Sequence, residues 1–352
     1  MGKTVDSEKI AFDAPDVPSR RSGMKKARVR GLVSLLRTRP DREKILLGLC
    51  ALLWLLLPGV LLSPAAAQEK AYYGVALIGD PHLPGKNLPA KISALRTIDG
   101  WTDIDRVVVL GDICKETGTP EEYAAAKAFF GRLRKPVRFV AGNHDYIYAD
   151  EKNTLGRRVK ALPDARRAKL ERFAETFGLS EVYSSERLGG YLMIYLSTDD
   201  LDSAHLTQIS DGQLAWLQKR LAENKTVPTL IFFHAPLAGT LHKYNEQADT
   251  PSFIAQPTGR LHNLILENPQ IFLWVSGHMH VPATSESFSA PVNLYEGRVM
   301  NIHNPDIERK TIWTNVLRLY PDRVVIRTWD HAKGDWLDGL ERTIHPHDQK
   351  PL

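Results

Sequence analysis

Seven residues of the kinds that bind divalent metal ions each stand just beyond a short apolar run. Asp80-Pro81-His82 follows Tyr73–Ile78, and Gly111-Asp112 follows the run 107–110. Gly142-Asn143-His144-Asp145 follows Val137–Val140, His234 follows the run 230–233, and Gly277-His278-Met279-His280 follows the run 271–275. Imidazole nitrogen, carboxylate oxygen and amide oxygen suit Mn, Fe or Zn, and no thiolate is offered. Singly, each piece has a plain structural reading: an Asp after a strand is commonly a turn former or helix cap, and a lone His packs. At five strand ends in one chain they point instead to a shared metal cluster and to hydrolytic chemistry.

The elements that must carry these residues alternate. Short apolar runs bounded by Gly, Asp or Asn read as buried strands. Between them, 90–96 reads as a short helix. Pro120-Glu121-Glu122 opens another, with Pro and acids in its first turn. Residues 165–177 and 211–224 each place Leu or Phe on one face, and 181–197 reads as a hairpin about Gly189-Gly190. Two late β-rich segments follow, 298–303 and 311–329, the second split at Pro321-Asp322. The pattern implies a mixed α/β domain with late antiparallel strands and with helices on both faces of the sheet layers. In such sheets ligands bind beyond the carboxyl ends of strands, where all seven candidates lie. The stretches 237–258 and 281–296 are longer than ordinary connections and are expected to wall the site.

Composition sets the compartment rather than the chemistry. Apolar content of 43% and charged content of 25% describe an ordinary globular chain of 352 residues. Of the net +5, residues 1–44 supply +6 (12 Lys/Arg against 6 Asp/Glu) and 45–67 nothing, so the remainder nets −1. The basic balance belongs to a leader, and no nucleic-acid-binding surface is expected on the body. Residues 45–67 form an uncharged apolar segment ending in Ala65-Ala66-Ala67, read as a signal-peptide core or, alternatively, an uncleaved membrane anchor. Either reading exports the rest, to a periplasmic or extracytoplasmic location. Cleavage would leave Cys114 as the one cysteine, so stability must come from a core rather than a disulfide. The expected domains are a basic leader (1–44), the apolar segment (45–67), a catalytic domain (68–335) and a C-terminal tail (336–352).

The ordered set D-x-H, G-D, G-N-H-[DE], a lone His and G-H-x-H resembles the calcineurin-like metallophosphoesterase family, over about residues 72–330. Gly118-Thr119-Pro120-Glu121-Glu122-Tyr123 and Asp211-Gly212-Gln213-Leu214-Ala215-Trp216-Leu217 are similar to bacterial cyclic-nucleotide phosphodiesterase-type members. The resemblance implies a mixed β-sheet sandwich flanked by helices, with a dinuclear site at the strand C-terminal ends. It implies one metal on Asp80, His82, Asp112 and His280, and a second on Asp112, Asn143, His234 and His278, with Asp112 bridging. A metal-bridging hydroxide would then attack the phosphorus, and His144 would face the leaving group as its proton donor or charge stabiliser. Two divalent ions, two carboxylates and one hydroxide leave a site near +1, suited to a phosphate ester. Asp145 is expected to tie down its own loop through backbone N–H groups.

One position departs from the family pattern. Many relatives carry a second Asp three residues beyond the bridging one, to orient the catalytic His; here it is Lys115, which cannot accept a hydrogen bond. Glu116 is the nearest substitute, and Lys115 is alternatively a phosphate contact. His242, Lys243 and Tyr244 are read as solvated loop with substrate contact as the alternative, His303 as structural, and Cys114, Phe272 and Trp274 as core. The expected activity is phosphodiester hydrolysis. The alternatives are phosphomonoester hydrolysis at the same site and a non-catalytic, metal-binding protein that recognises phosphorylated ligands. Export discounts intracellular cyclic nucleotides as substrate.

Overall fold

The computed structural model describes residues 70–241 and 244–346. The leader, the apolar segment 45–67, His242 and Lys243 lie outside them. Among the described residues no helix is long and apolar enough to cross a membrane.

The apolar runs form strands, and they assemble into two sheets. The first sheet has the order β12-β11-β10-β1-β2-β3. Its members are β1 (Tyr73–Ile78), β2 (Ile104–Leu110), β3 (Val137–Val140), β10 (Trp313–Leu319), β11 (Val324–Asp330) and the two-residue β12 (Asp335–Trp336). β1, β2 and β3 run parallel, and β10 joins β1 antiparallel. The second sheet has the order β4-β5-β6-β7-β9-β8. It comprises β4 (Ser184–Leu188), β5 (Tyr191–Tyr195), β6 (Thr229–Phe232), β7 (Ile271–Ser276), β8 (Leu294–Tyr295) and β9 (Val299–His303).

These runs are buried on both faces, and successive side chains alternate between two cores. Val75, Leu77, Val108 and Leu110 face the second sheet and share a core with Met193, Leu230 and Val275. Their neighbours Ala76, Ile78, Val107 and Val109 face the other way, into a core with helices α1 (Leu88–Gly100), α2 (Pro120–Phe130) and α4 (Pro163–Phe177). On the far side of the second sheet, Ile194, Ile231 and Trp274 pack against α5 (Asp211–Ala222) and α6 (Thr258–Glu267). A short helix, α3 (Asn143–Tyr146), follows β3 directly. The result is a helix–sheet–sheet–helix sandwich, the expected class.

Three features differ from the sequence-based expectations. β9 was expected among antiparallel strands, but it pairs parallel with β7 and antiparallel only with the short β8. The 22 residues between the end of β7 (Ser276) and the start of β9 (Val299) include the turns and β8, enough for a crossover. Residues beyond 335, expected as a tail, add β12 and β13 (Arg342–Ile344) to β11. The helix read at 90–96 extends over Leu88–Gly100.

The Gly-Thr-Pro-Glu-Glu segment has a local explanation. The Thr119 side chain caps α2 by accepting from the Glu122 backbone N–H. The Glu122 carboxylate accepts in turn from the backbone N–H groups of Glu116 (2.7 Å), Thr117 (3.1 Å), Gly118 (2.8 Å) and Thr119 (3.2 Å). That buried acid fixes the loop leading from Asp112 into α2.

Candidate metal centre

The carboxyl ends of β1, β2 and β3 in one sheet meet those of β6 and β7 in the other, and all seven candidate ligands lie at that junction. Two glycines permit the approach. A Cβ on Gly111 (φ +87°) would lie 2.5 Å from His234 Nδ1, and one on Gly277 would lie 2.5 Å from Asp80 Oδ2. The G-D and G-H pairs are therefore steric requirements of bringing the sheets together.

The backbone at the site is held in an uncommon conformation. Asp80 (φ 44°), His82 (43°), Asp112 (48°), His278 (63°) and His280 (49°) all occupy the left-handed region. Such residues persist only where surrounding structure over-determines them, and they cluster at functional sites. Here backbone bonds lock the loops: His82 N–H donates to the Asp112 carbonyl at 2.9 Å, and His278 N–H donates to Asp80 Oδ1 at 3.0 Å. The buried Lys91 ammonium donates to the Pro81 carbonyl at 2.5 Å. Asp145 accepts from Cys114 N–H and Gly142 N–H, each at 2.8 Å, so it ties the second and third motifs together.

The side chains form two groups with one shared member. Donor atoms of Asp80, His82, Asp112 and His280 lie within 4.8 Å of one another, as do those of Asp112, His234 and His278. Asp112 presents Oδ1 to His234 Nε2 at 3.2 Å and Oδ2 to His82 Nε2 at 3.9 Å, so its two oxygens face the two groups. Asn143 belongs beside the second group: its Oδ1 lies 3.1 Å from His234 Nε2, while its amide nitrogen donates to Tyr148 Oη.

Outer partners orient the imidazoles. His234 Nδ1 is 2.7 Å from the Leu110 carbonyl, His278 Nε2 is 3.1 Å from the Ser252 carbonyl, and His280 Nδ1 is 3.5 Å from the Asp306 carboxylate. In each ring one nitrogen is thereby occupied and the other faces the cluster, the arrangement metal-ligating histidines adopt. Phe253 stacks on the His278 ring at 5.1 Å.

Charge makes the same point. Burial pushes the His234 and His280 imidazoles down, but carboxylates outweigh it. Asp112 and Asp80 hold His234 up at about 9, and Asp80 with Asp306 holds His280 up at about 9. Burial also opposes ionisation of Asp112, yet the surrounding histidines hold its carboxyl well below the usual range. Burial and the His234 charge push His278 down to about 3. Burial, and then the Asp112 charge, push Asp145 up to about 7. Buried carboxylates and imidazoles this close call for cations among them, and a proton and a divalent ion compete for the same nitrogens. The donor set, two carboxylates, four imidazoles and an amide oxygen, therefore fits a pair of divalent ions.

Above the cluster opens a cavity of about 380 Å³, lined also by His144, Tyr148, Arg158, Tyr244, Asn245 and Arg309. His144 is pushed down to about 4 by burial, which outweighs the Asp112 charge, with the charges of His82 and Arg158 adding to the fall. No carboxylate partner reaches it from the loop after Asp112. Lys115 Nζ pairs with Glu116 at 3.8 Å, and Glu116 pairs with Lys152 at 3.4 Å. What faces His144 is Arg158, whose Nη1 lies 3.0 Å from its ring nitrogens.

Of the loop residues read as solvated, His242 and Lys243 lie outside the described residues, and Tyr244 stands at the cavity instead. The Tyr244 hydroxyl donates to the His280 carbonyl at 3.4 Å. His303 is fully buried beside Asn301, away from the cavity lining. Cys114, Phe272 and Trp274 are core. Sequence reasoning missed Asp306, Arg158 and Arg309. Asp306 had a signal, because it lies three residues beyond another parallel strand end, that of β9.

Fold and site together define a dinuclear-type phosphoesterase architecture. The sequence matches the calcineurin-like phosphoesterase family over residues 73–282, and the chain belongs to that family. It is 30% identical over 179 residues to glycerophosphodiester phosphodiesterase GpdQ of Enterobacter lignolyticus (strain SCF1), a match covering 50% of this chain and 56% of the relative. The chain thus spans about half the length of that curated relative. Among solved structures it resembles a dimetal phosphatase from Danio rerio, with a TM-score of 0.51, 15% identity, and coverage of 78% of this chain and 99% of that one. It also resembles purple acid phosphatase PPD1 from yellow lupin (Lupinus luteus) seeds, with a TM-score of 0.52, 14% identity, and coverage of 79% and 54%. At that identity the two structures speak for the fold alone.

Proposed function

We propose that this chain is an exported metallophosphoesterase that hydrolyses phosphodiesters. The observation that carries the reading is the convergence of the two ligand groups on Asp112, whose carboxylate oxygens face one group each. Asp80, His82, Asp112 and His280 would hold one divalent ion, and Asp112, Asn143, His234 and His278 the other. Mn, Fe and Zn suit these donors. Bound there, the pair supplies Lewis-acid polarisation of the phosphoryl group and a water acidic enough to act as nucleophile at neutral pH.

The protein's own side chains supply position and shape. The left-handed loops aim the ligands, and Leu110, Ser252 and Asp306 hold three imidazoles in one orientation. His144 stands at the cavity side of Asp112, with Nε2 3.9 Å from Oδ2 and its backbone N–H bonded to Oδ1. That placement suits a group acting on the leaving oxygen. Phe253 and Tyr244 narrow the opening over His278 and His280. Diester rather than monoester specificity is supported by the phosphodiesterase relative. Export is supported by the leader and by the uncharged segment 45–67 ending in three alanines, and the catalytic body is proposed to begin after it, near residue 68.

Protein loaded with Mn, Fe or Zn should turn over a generic aryl phosphodiester faster than the matching aryl phosphomonoester. A reversed preference would make the chain a monoesterase. No turnover of either ester with any of the three metals would leave a phospholigand-binding protein.

A further inference from the structure

The cavity holds two arginines in different states. Arg309 is committed: its Nε donates to Asp306 at 2.6 Å and its Nη2 to the His280 carbonyl at 3.1 Å. Arg158 is exposed at the open side of the cavity and has no carboxylate within 4 Å among the described residues; Glu116, whose carboxyl its charge helps to lower, is paired with Lys152 and Lys115. Its guanidinium lies 5.1 Å from the centre of the Tyr148 ring and 3.0 Å from the ring nitrogens of His144. A guanidinium not committed to a carboxylate, lining the cavity beside His144, is placed to meet an anion brought by the ligand.

Arg158 is also held in place. It rides on a hairpin inserted between α3 and α4, closed by the Tyr148–Lys160 pair, by Ala149 N–H to the Val159 carbonyl (2.9 Å) and by Ala161 N–H to the Ile147 carbonyl (2.7 Å). At the tip, Asn153 N–H donates to the Arg157 carbonyl at 3.0 Å, and the Asn153 side chain accepts from Leu155 and Arg157 N–H. The Lys160 ammonium anchors the returning strand to the Ala204 carbonyl. The hairpin thus delivers a permanent cation to the side of the cavity where His144 stands, the place left without an acidic partner by Lys115.

We propose that Arg158 is a catalytic residue that stabilises the negative charge developing on the leaving oxygen of the phosphate ester. The inference rests on the phosphoesterase reading above. In the hydrolysis, a water oxygen forms a bond to phosphorus as the bond from phosphorus to the leaving oxygen breaks. The electron pair goes to the leaving oxygen, and one proton of the water is finally carried on the released alcohol. Arg158 is not consumed; it donates an N–H hydrogen bond that strengthens as charge grows on that oxygen. Its contribution must therefore depend on the leaving group. An alkoxide builds up more charge than a nitrophenolate, which delocalises its own.

The test compares wild type, Arg158→Ala and Arg158→Lys, each full-length and Mn-loaded, on a phosphodiester with an alkyl leaving group and on one with a p-nitrophenyl leaving group. Arg158→Ala should lower kcat by about 10²–10³-fold on the alkyl ester and by about tenfold or less on the nitrophenyl ester. KM and a metal content of two per chain should hold. Arg158→Lys should recover part of the loss, since it keeps the charge without the planar fork, and added guanidinium should restore Arg158→Ala. Equal losses on both esters, a change confined to KM, or a fall in bound metal would overturn the proposal while leaving the phosphoesterase reading intact. Wild type inactive on both esters would overturn both.

Discussion

Asp306 supplies the sharpest test of how the centre is built. Its carboxylate is almost fully buried and lies 3.5 Å from His280 Nδ1, while His280 Nε2 faces Asp80 at 3.3 Å and His82 at 3.3 Å. Asp306→Asn conserves volume and keeps an oxygen for the backbone N–H groups of Glu308 and Arg309. What it removes is the negative charge behind the ring. A full charge at that distance is worth about 4–5 kcal/mol at an effective dielectric of about 20. Arg309, 2.6 Å from the same carboxylate, already neutralises much of it. The net loss should fall in the range found for such outer partners, about 10–100-fold in metal affinity, or roughly 1.4–2.7 kcal/mol. The loss should fall on the ion held by Asp80, His82, Asp112 and His280. The ion held by Asn143, His234 and His278 with Asp112 should weaken by no more than about threefold, since none of those three touches Asp306. Calorimetric titration of metal-free protein with Mn, paired with metal analysis after dialysis, resolves the two. Unchanged affinity, or an equal loss of both ions, would refute the assignment of Asp306 and His280 to one ion.

Three further outcomes are expected. His144→Ala should slow turnover by about 10²–10⁴-fold and leave two metals per chain by elemental analysis; a loss of metal would show His144 to be a ligand. His234 and His280 are both raised from an ordinary value near 6.5 to about 9, so at pH 7 both carry protons that metal must displace. Loading should release about two protons per chain, and affinity should climb as pH rises toward 9 and then level. Calorimetry in buffers of different ionisation heats measures this, and release of none would contradict it. Glu122→Ala should cost about 3 kcal/mol, because several buried N–H groups lose their acceptor. Thermal unfolding should show a fall of several degrees, and an unchanged Tm would mean that the loop finds other partners.

The strand ends were legible because their residue types are costly to place without a purpose, and because short continuous apolar runs bounded by Gly, Asp or Asn could be recognised as buried strands. The candidate metal ligands follow directly, since every one is within four residues of its strand. Asp306 was less visible. It reaches His280 through pairing of its segment with Gly79, an arrangement that depends on β9 lying parallel beside β7. No local pattern states that register. Arg158 was invisible for another reason: its hairpin carries no periodic apolar face, and only the fold brings it back over His144. Lys115 misled in an instructive way. Its position implied a missing acidic partner but not which residue would occupy the space, and the occupant comes from a segment 43 residues further along the chain.

The measurement closest to the central claim is anomalous diffraction from Mn-loaded crystals. Two peaks are expected, one bounded by Asp80, His82, Asp112 and His280, the other by Asp112, Asn143, His234 and His278, with an Asp112 oxygen on each. A single peak, or a second one away from Asp112, would contradict a centre bridged by that carboxylate.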